Sequence, residues 1–353
     1  MMKQALEELV KTDVPSERLD QLTELVEIDL TNLDPGVKRH LLKQQLEMFQ
    51  VEEGLYAIGT GISDEVVDEL MEGSIDTHVH GGSEPFERRE LEDDIAIDCT
   101  RAKMKAVVIK NWYHPSASKI ALLQKAADNW AEANQLNPVQ VFGGITLNNS
   151  VGGLNPEAVI RCLGFPGFKY VWMPTTDSHY HQSNILNRKK HTGIKYLSEK
   201  GQVVHQMKEI LHVIADNNLV LASGFYPHRE TAPLMEEAKR TGVKRMELIH
   251  PTLMHTKHTL AEMKELTQEG VKIGLTGIAS VNARFIEGIR SVFKIIRELS
   301  DYMVLGSSSG QIQNPTHIEG MKWMIRVLLS YGITKEEVTK IFKTNPAAHL
   351  GIN

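Results

Sequence analysis

Two cysteines, Cys99 and Cys162, among 353 residues are too few for a disulfide framework. The chain therefore reads as one kept in a reducing compartment and held together by its core. An excess of positive charge is also missing. Lys and Arg number 39 against 45 Asp and Glu, a formal charge of −6, which argues against a general nucleic-acid binder. No apolar run approaches the ~20 residues that span a bilayer, so no membrane partner is expected. The opening MMKQALEELVK has no apolar core of a secretory signal. A soluble, cytoplasmic protein is the expectation. What is present is ordinary globular material, 41% hydrophobic and 24% charged, which excludes disordered and fibrous classes.

The texture changes near residue 73. Before it, Leu6, Leu9 and Val10, then Leu19, Leu22 and Leu25, recur at helical spacing. Asp34-Pro35 is a helix start, with Asp as the N-cap and Pro in the first turn. Residues 1–72 are expected to form a helical extension that packs on the main domain or on a second subunit, in a homo-oligomer.

After it, short apolar runs alternate with helical stretches. Strands are expected over 74–80, 105–110, 140–147, 168–173, 218–223, 243–250, 271–275 and 301–307. Helix starts follow at Asn155-Pro156, at Thr259 with Glu262, and at Thr334 with Glu337. Eight strand–helix units over residues 73–353 predict an α/β fold, a (β/α)8 TIM barrel. An open doubly wound sheet is disfavoured because no G-x-G-x-x-G follows the first strand. In a barrel the chemistry lies at the C-terminal ends of the strands.

Strand one ends Asp76-Thr77-His78-Val79-His80. Alternation in a strand aims Asp76, His78 and His80 one way, so two imidazoles can reach one metal ion and a carboxylate can orient a ring. Strand two ends in Lys110 and Asn111, a lysine after four apolar residues. It reads as a carbamylated metal bridge, as a cation for substrate or Schiff-base chemistry, or as a salt-bridge partner of Asp76 or another mouth carboxylate. Strand six delivers His250. After strand four come His179 and His181, which could touch substrate or a second metal, and then Arg188, Lys189, Lys190 and His191 on a segment long enough for a lid. Asn148 and the Gly152-Gly153 pair follow strand three, where the glycines suit a tight turn or an anion site. Asn111, Asn148, His179 and His181 are the candidate substrate contacts.

The Asp-Thr-His-Val-His run at the end of a first barrel strand resembles the amidohydrolase superfamily of metal-dependent hydrolases. VVIKN (107–111), VFGGITLN (141–148), VGGLNP (151–156), VWMPTTD (171–177), IHP (249–251) and NPAAHLG (345–351) resemble a little-characterised amidohydrolase-like family. The resemblance implies His78, His80, Lys110 and His250 as metal ligands, with one divalent ion per chain, zinc foremost. It implies Gly-His at the end of strand five and Ser-Asp at the end of strand eight, where this chain has Gly224-Phe225 and Ser307-Ser308. Trp112 stands where relatives often have histidine. With the aspartate missing, Lys110, Asp76 and His228 are the candidate catalytic groups, and Glu230 and His179 are further candidates for a base. The expected function is mononuclear metal-dependent chemistry, hydrolytic or lyase-type, on a C–N, C–O or P–O bond of a small anionic molecule. The alternative is a catalytically degenerate barrel that binds a small molecule or a protein partner.

Overall fold

The computed structural model describes residues 61–252, 256, 258–276, 289–312 and 314–352. The helices expected over 1–60 lie outside the described residues. All eight expected strands form. In chain order the elements are α1 (Asp64–Met71), β1 (Ile75–Val79), α2 (Glu92–Arg101), β2 (Ala106–Ile109), α3 (Ile120–Asn134), β3 (Gln140–Thr146), α4 (Pro156–Cys162) and β4 (Phe168–Trp172). Then come α5 (His205–Asp216), β5 (Val220–Ala222), α6 (His228–Thr241), β6 (Arg245–Ile249), α7 (Leu260–Gln268) and β7 (Val271–Thr276). The chain finishes with α8 (Ile289–Leu299), β8 (Met303–Gly306), α9 (His317–Ser330), α10 (Lys335–Thr339) and α11 (Asn345–Leu350).

The strands are nearly continuous apolar runs because helices cover their outer faces and side chains fill the interior. They pair in parallel in the order β1 to β8. The ring closes just past the strand ends, where Ser308 N–H donates to the His78 carbonyl (2.7 Å) and His80 N–H to that of Ser309 (2.9 Å). The fold is a (β/α)8 TIM barrel. The helix starts read from sequence are real caps. The Asn155 side chain accepts from Ala158 N–H, and Thr259/Glu262 and Thr334/Glu337 form reciprocal capping boxes.

The interior is packed by Ile75, Ala106, Val108, Tyr170, Trp172, Val220, Ala222 and Ile249, joined by Leu350 of α11. Gly351 lies against the guanidinium of Arg245, the first residue of β6. Helix α11 therefore closes the end of the barrel opposite the strands' C-terminal mouth. Helix α1 buries Val67, Leu70 and Met71, and its acidic face pairs Asp64 with Arg326, Asp68 with Lys322 and Glu69 with Lys335.

One irregularity positions the site. Between the pairs Asp76↔Val107 and Val79↔Ile109, β1 advances three residues while β2 advances two, which is a β-bulge. The strict alternation expected for Asp76, His78 and His80 is broken there.

Candidate functional site

His78, His80, Lys110 and His250 meet at the strands' C-terminal mouth. The Nε2 atoms of His78 and His80 stand 3.2 Å apart, and Lys110 Nζ is 3.4 Å from His78 Nε2. The His250 ring centroid lies 4.9 Å from that of His78. Two nitrogen donors on one tetrahedral zinc ion, each ~2.0–2.1 Å from it, stand about 3.4 Å apart. Both spacings from His78 Nε2 therefore fit a pair of donors on one cation. Among the described residues, no three His, Cys, Asp or Glu groups stand close enough together to hold a metal ion as they are placed.

The electronic state of the imidazoles also suits a cation. His80 Nδ1–H donates to the Lys110 carbonyl at 3.1 Å, which leaves Nε2 with its lone pair. Burial holds both rings well below the usual histidine range, helped by positive charge on Lys110 for His78 and on Arg88 for His80. Both rings are thus neutral near pH 7.

Lys110 is fully buried, 5.5 Å from the Trp172 ring centroid, and makes no ion pair among the described residues. That removes the salt bridge to Asp76 or another mouth carboxylate from its three readings. Burial lowers its amine to about 7, partly offset by Glu247 and Glu84. The sequence reading missed Glu247, a buried carboxylate in the middle of β6. It accepts from Tyr170 Oη at 2.8 Å, lies 3.3 Å from His349 Nε2, and sits over Gly274, where any Cβ would collide with it. Its signal was a charged residue between Met246 and Leu248 in an otherwise apolar strand.

Three strand ends turn through the left-handed region: Gly224 (φ +67), His250 (φ +48) and Ser308 (φ +47). Two of these are not glycine, and such backbone concentrates at functional sites. At Gly224 a Cβ would lie 2.4 Å from the Pro174 carbonyl oxygen, so only glycine fits. The next residue, Phe225, stands between imidazoles, its ring 5.8 Å from His250 and 5.6 Å from His181. Histidine is the residue that the resemblance leads one to expect there.

The remaining candidates divide. His181 is buried and reaches the cluster through Phe225. Asp76 does not orient a ring: its Oδ1 accepts from the N–H groups of His78 and Ser307, both 3.0 Å, joining β1 to β8 at the bulge. His228 contacts Glu265 (3.4 Å) and His258 (ring centroids 5.6 Å), on α7 and just before it, rather than the histidine cluster. His179 shares Ser183 Oγ with His191, at 2.8 and 2.9 Å. Asn111 is committed to backbone, accepting from Tyr113 and His114 N–H and donating to the Ser83 carbonyl. Asn148 likewise ties Trp112 to Thr175. The Gly152-Gly153 N–H groups bond back to Asn149 and Asn148, so this is a tight turn.

The loop from β1 to α2 carries a second omission, Arg88, which is buried and ion-paired to Glu84 four residues earlier. The spacing of Glu84 and Arg88 was the readable signal. The loop is tied down: Glu90 accepts from His317 N–H (2.8 Å) and lies 3.0 Å from His317 Nδ1, and Arg89 N–H donates to the Gly310 carbonyl.

A family model described as a family of unknown function (DUF6282) matches residues 73–274, a span that includes all four clustered side chains. No curated protein matches. Similar solved structures include an amidohydrolase from Pseudomonas aeruginosa, 14% identical over 80% of this chain and 98% of that one, with a TM-score of 0.49. Another is an amidohydrolase from Burkholderia multivorans with bound zinc, 13% identical over 79% and 99%, TM-score 0.49. A third is 5-carboxyvanillate decarboxylase from Sphingomonas paucimobilis, 10% identical over 79% and 99%, TM-score 0.44. Likenesses this remote decide nothing about chemistry, which rests on the chain's own residues.

Proposed function

The chain belongs to the family of unknown function DUF6282, and from its barrel mouth we propose a mononuclear metal-dependent enzyme acting on a small molecule. The observation that carries this reading is the 3.2 Å approach of His78 Nε2 to His80 Nε2, with Lys110 Nζ 3.4 Å from the first. His78 and His80 would hold one divalent ion, zinc foremost, with Lys110 or His250 completing the set. The bound ion supplies Lewis acidity toward a substrate oxygen. The chain's own residues do the rest. Lys110, with its amine at about 7, can take and return a proton near neutral pH. Trp172 and Phe225 line the buried floor with apolar surface, which excludes water and strengthens each charge interaction. Hydrolysis of a C–N, C–O or P–O bond, or lyase chemistry, is compatible with this set. With serine at 308 in place of a carboxylate base, Lys110 would take that task where His250 completes the metal set.

A screen of the zinc-loaded chain against simple ester, lactone and amide probes tests the reading. Turnover is expected that is lost on chelation and in His78→Ala. Turnover indifferent to both would overturn it.

Lys110 also favours a second reading. A buried amine at about 7 without an ion pair can add to a carbonyl and form a Schiff base. Borohydride trapping of a carbonyl probe on Lys110, seen by peptide mass spectrometry, would favour it over the metal reading.

No described helix is long and apolar enough to cross a membrane. We propose a homo-oligomer, which the solution mass of the full chain tests.

A further inference from the structure

Arg88 stands beside the histidine cluster and has no part in the reading above. Its Nε and Nη2 both engage Glu84 Oε2, while Glu84 Oε1 accepts from Trp112 N–H at 2.8 Å. The guanidinium lies against two rings that also meet each other, with Cζ 4.6 Å from the Phe86 centroid and 5.4 Å from that of Trp112, and the two centroids 6.2 Å apart. Trp112 in turn lies 5.4 Å, edge-on, from the His80 ring. One indole thus bridges the arginine and the proposed reacting centre. Among the described residues no acceptor other than Glu84 takes an Arg88 donor. The indole Nε1–H of Trp112 is buried without an acceptor, and so is that of Trp172 beside Lys110.

A buried donor without an acceptor costs about 1–3 kcal/mol, so two such indole donors beside a buried guanidinium call for a ligand rich in acceptors. The loop is tethered just past Arg88, through Arg89 N–H to Gly310 and through Glu90 to His317, and presents Arg88 already oriented. That lowers the ordering cost of binding.

We propose that Arg88 and Trp112 form a carboxylate-recognition subsite, so that the substrate is a small carboxylic acid whose reacting carbon lies over His78 and His80. A single carboxylate suits the place better than a phosphate. Glu84 already offsets one unit of the positive charge, and the turn at Gly152-Gly153 keeps its N–H groups for its own backbone. Phe86, 41% exposed at the rim, offers its ring to the apolar body of such an acid. The position of the reacting carbon rests on the metal-site reading; the carboxylate contact does not.

The test is calorimetric titration of the full chain with benzoate, with benzamide as its neutral near-isostere, and with inorganic phosphate. Benzoate should bind ~10-fold or more tightly than benzamide and more tightly than phosphate. Arg88→Lys keeps the charge but loses the planar fork, and should reduce the preference several-fold. The paired change Glu84→Gln with Arg88→Met removes both charges, so no orphaned carboxylate is left, and should abolish the preference with zinc content unchanged. His80→Ala should lose zinc yet retain the preference, which separates failure of the metal reading from failure of this one. Equal binding of benzoate and benzamide, stronger binding of phosphate, or a preference that survives loss of Arg88 would overturn the proposal. Should the paired variant fail to fold, Arg88→Lys with full wild-type preference would overturn it as well.

Discussion

The backbone carbonyl of Lys110 accepts a hydrogen bond from Nδ1 of His80 at 3.1 Å. The residue that brings a buried amine to the site therefore also fixes the tautomer of the imidazole beside it. The end of β2 thus supplies both the buried amine and the carbonyl that leaves His80 Nε2 its lone pair.

Lys110→Met should separate these two roles. The carbonyl remains, so His80 keeps its tautomer, but the amine is lost. Zinc affinity should fall ~10–100-fold. The metal-free protein should become more stable by about 1–3 kcal/mol, because an amine desolvated without an ion pair is replaced by apolar bulk. Calorimetric titration and thermal melts in chelator check the two effects. Unchanged zinc affinity would remove Lys110 from the ligand set.

Phe225→His with Ser308→Asp should raise metal content toward about two ions per chain. Phe225 already lies between His250 and His181, so an imidazole there joins two others. Ser308 has a left-handed backbone, which aspartate tolerates better than most residues. Elemental analysis of the double variant beside wild type is the measurement, and an unchanged metal content would contradict the expectation.

His258 should make the barrel acid-sensitive. Burial and the neighbouring His228 lower its imidazole from 6.5 to about 4, and neither ring nitrogen has a hydrogen-bond partner among the described residues. Between those two values the unfolded chain takes a proton that the folded chain refuses. Stability is therefore intact above pH 6.5, is lost as pH falls toward 4, and the total loss is about 3 kcal/mol. His228 and Glu262 are the ionisable groups acting on it. Denaturant melts of His258→Leu should show a flatter pH dependence across that window, and a slope equal to wild type would contradict this.

Much of the fold was legible because barrel strands are buried on both faces and read as continuous apolar runs. All eight strands and three of the helix caps lie where the pattern places them. The convergence of His78, His80, Lys110 and His250 was legible for the same reason, since a barrel brings strand ends to one mouth. The role of Asp76 was not. A bulge breaks the period-two rule, and the carboxylate takes backbone N–H groups of His78 and Ser307. Asn111 and Asn148 also sit at the mouth, but loops leave backbone groups to satisfy and short amide side chains do it. Glu247 and Arg88 escaped notice because a charge in a strand or loop reads as solvated until its burial is known.

The central claim is that His78 and His80 share one divalent ion. Elemental analysis of the full chain after zinc loading and dialysis, beside His78→Ala and His80→Ala, tests it most directly. The account predicts about one zinc per wild-type chain and essentially none in either variant. Retention of zinc by both variants, or no zinc in a folded wild-type chain, would contradict it.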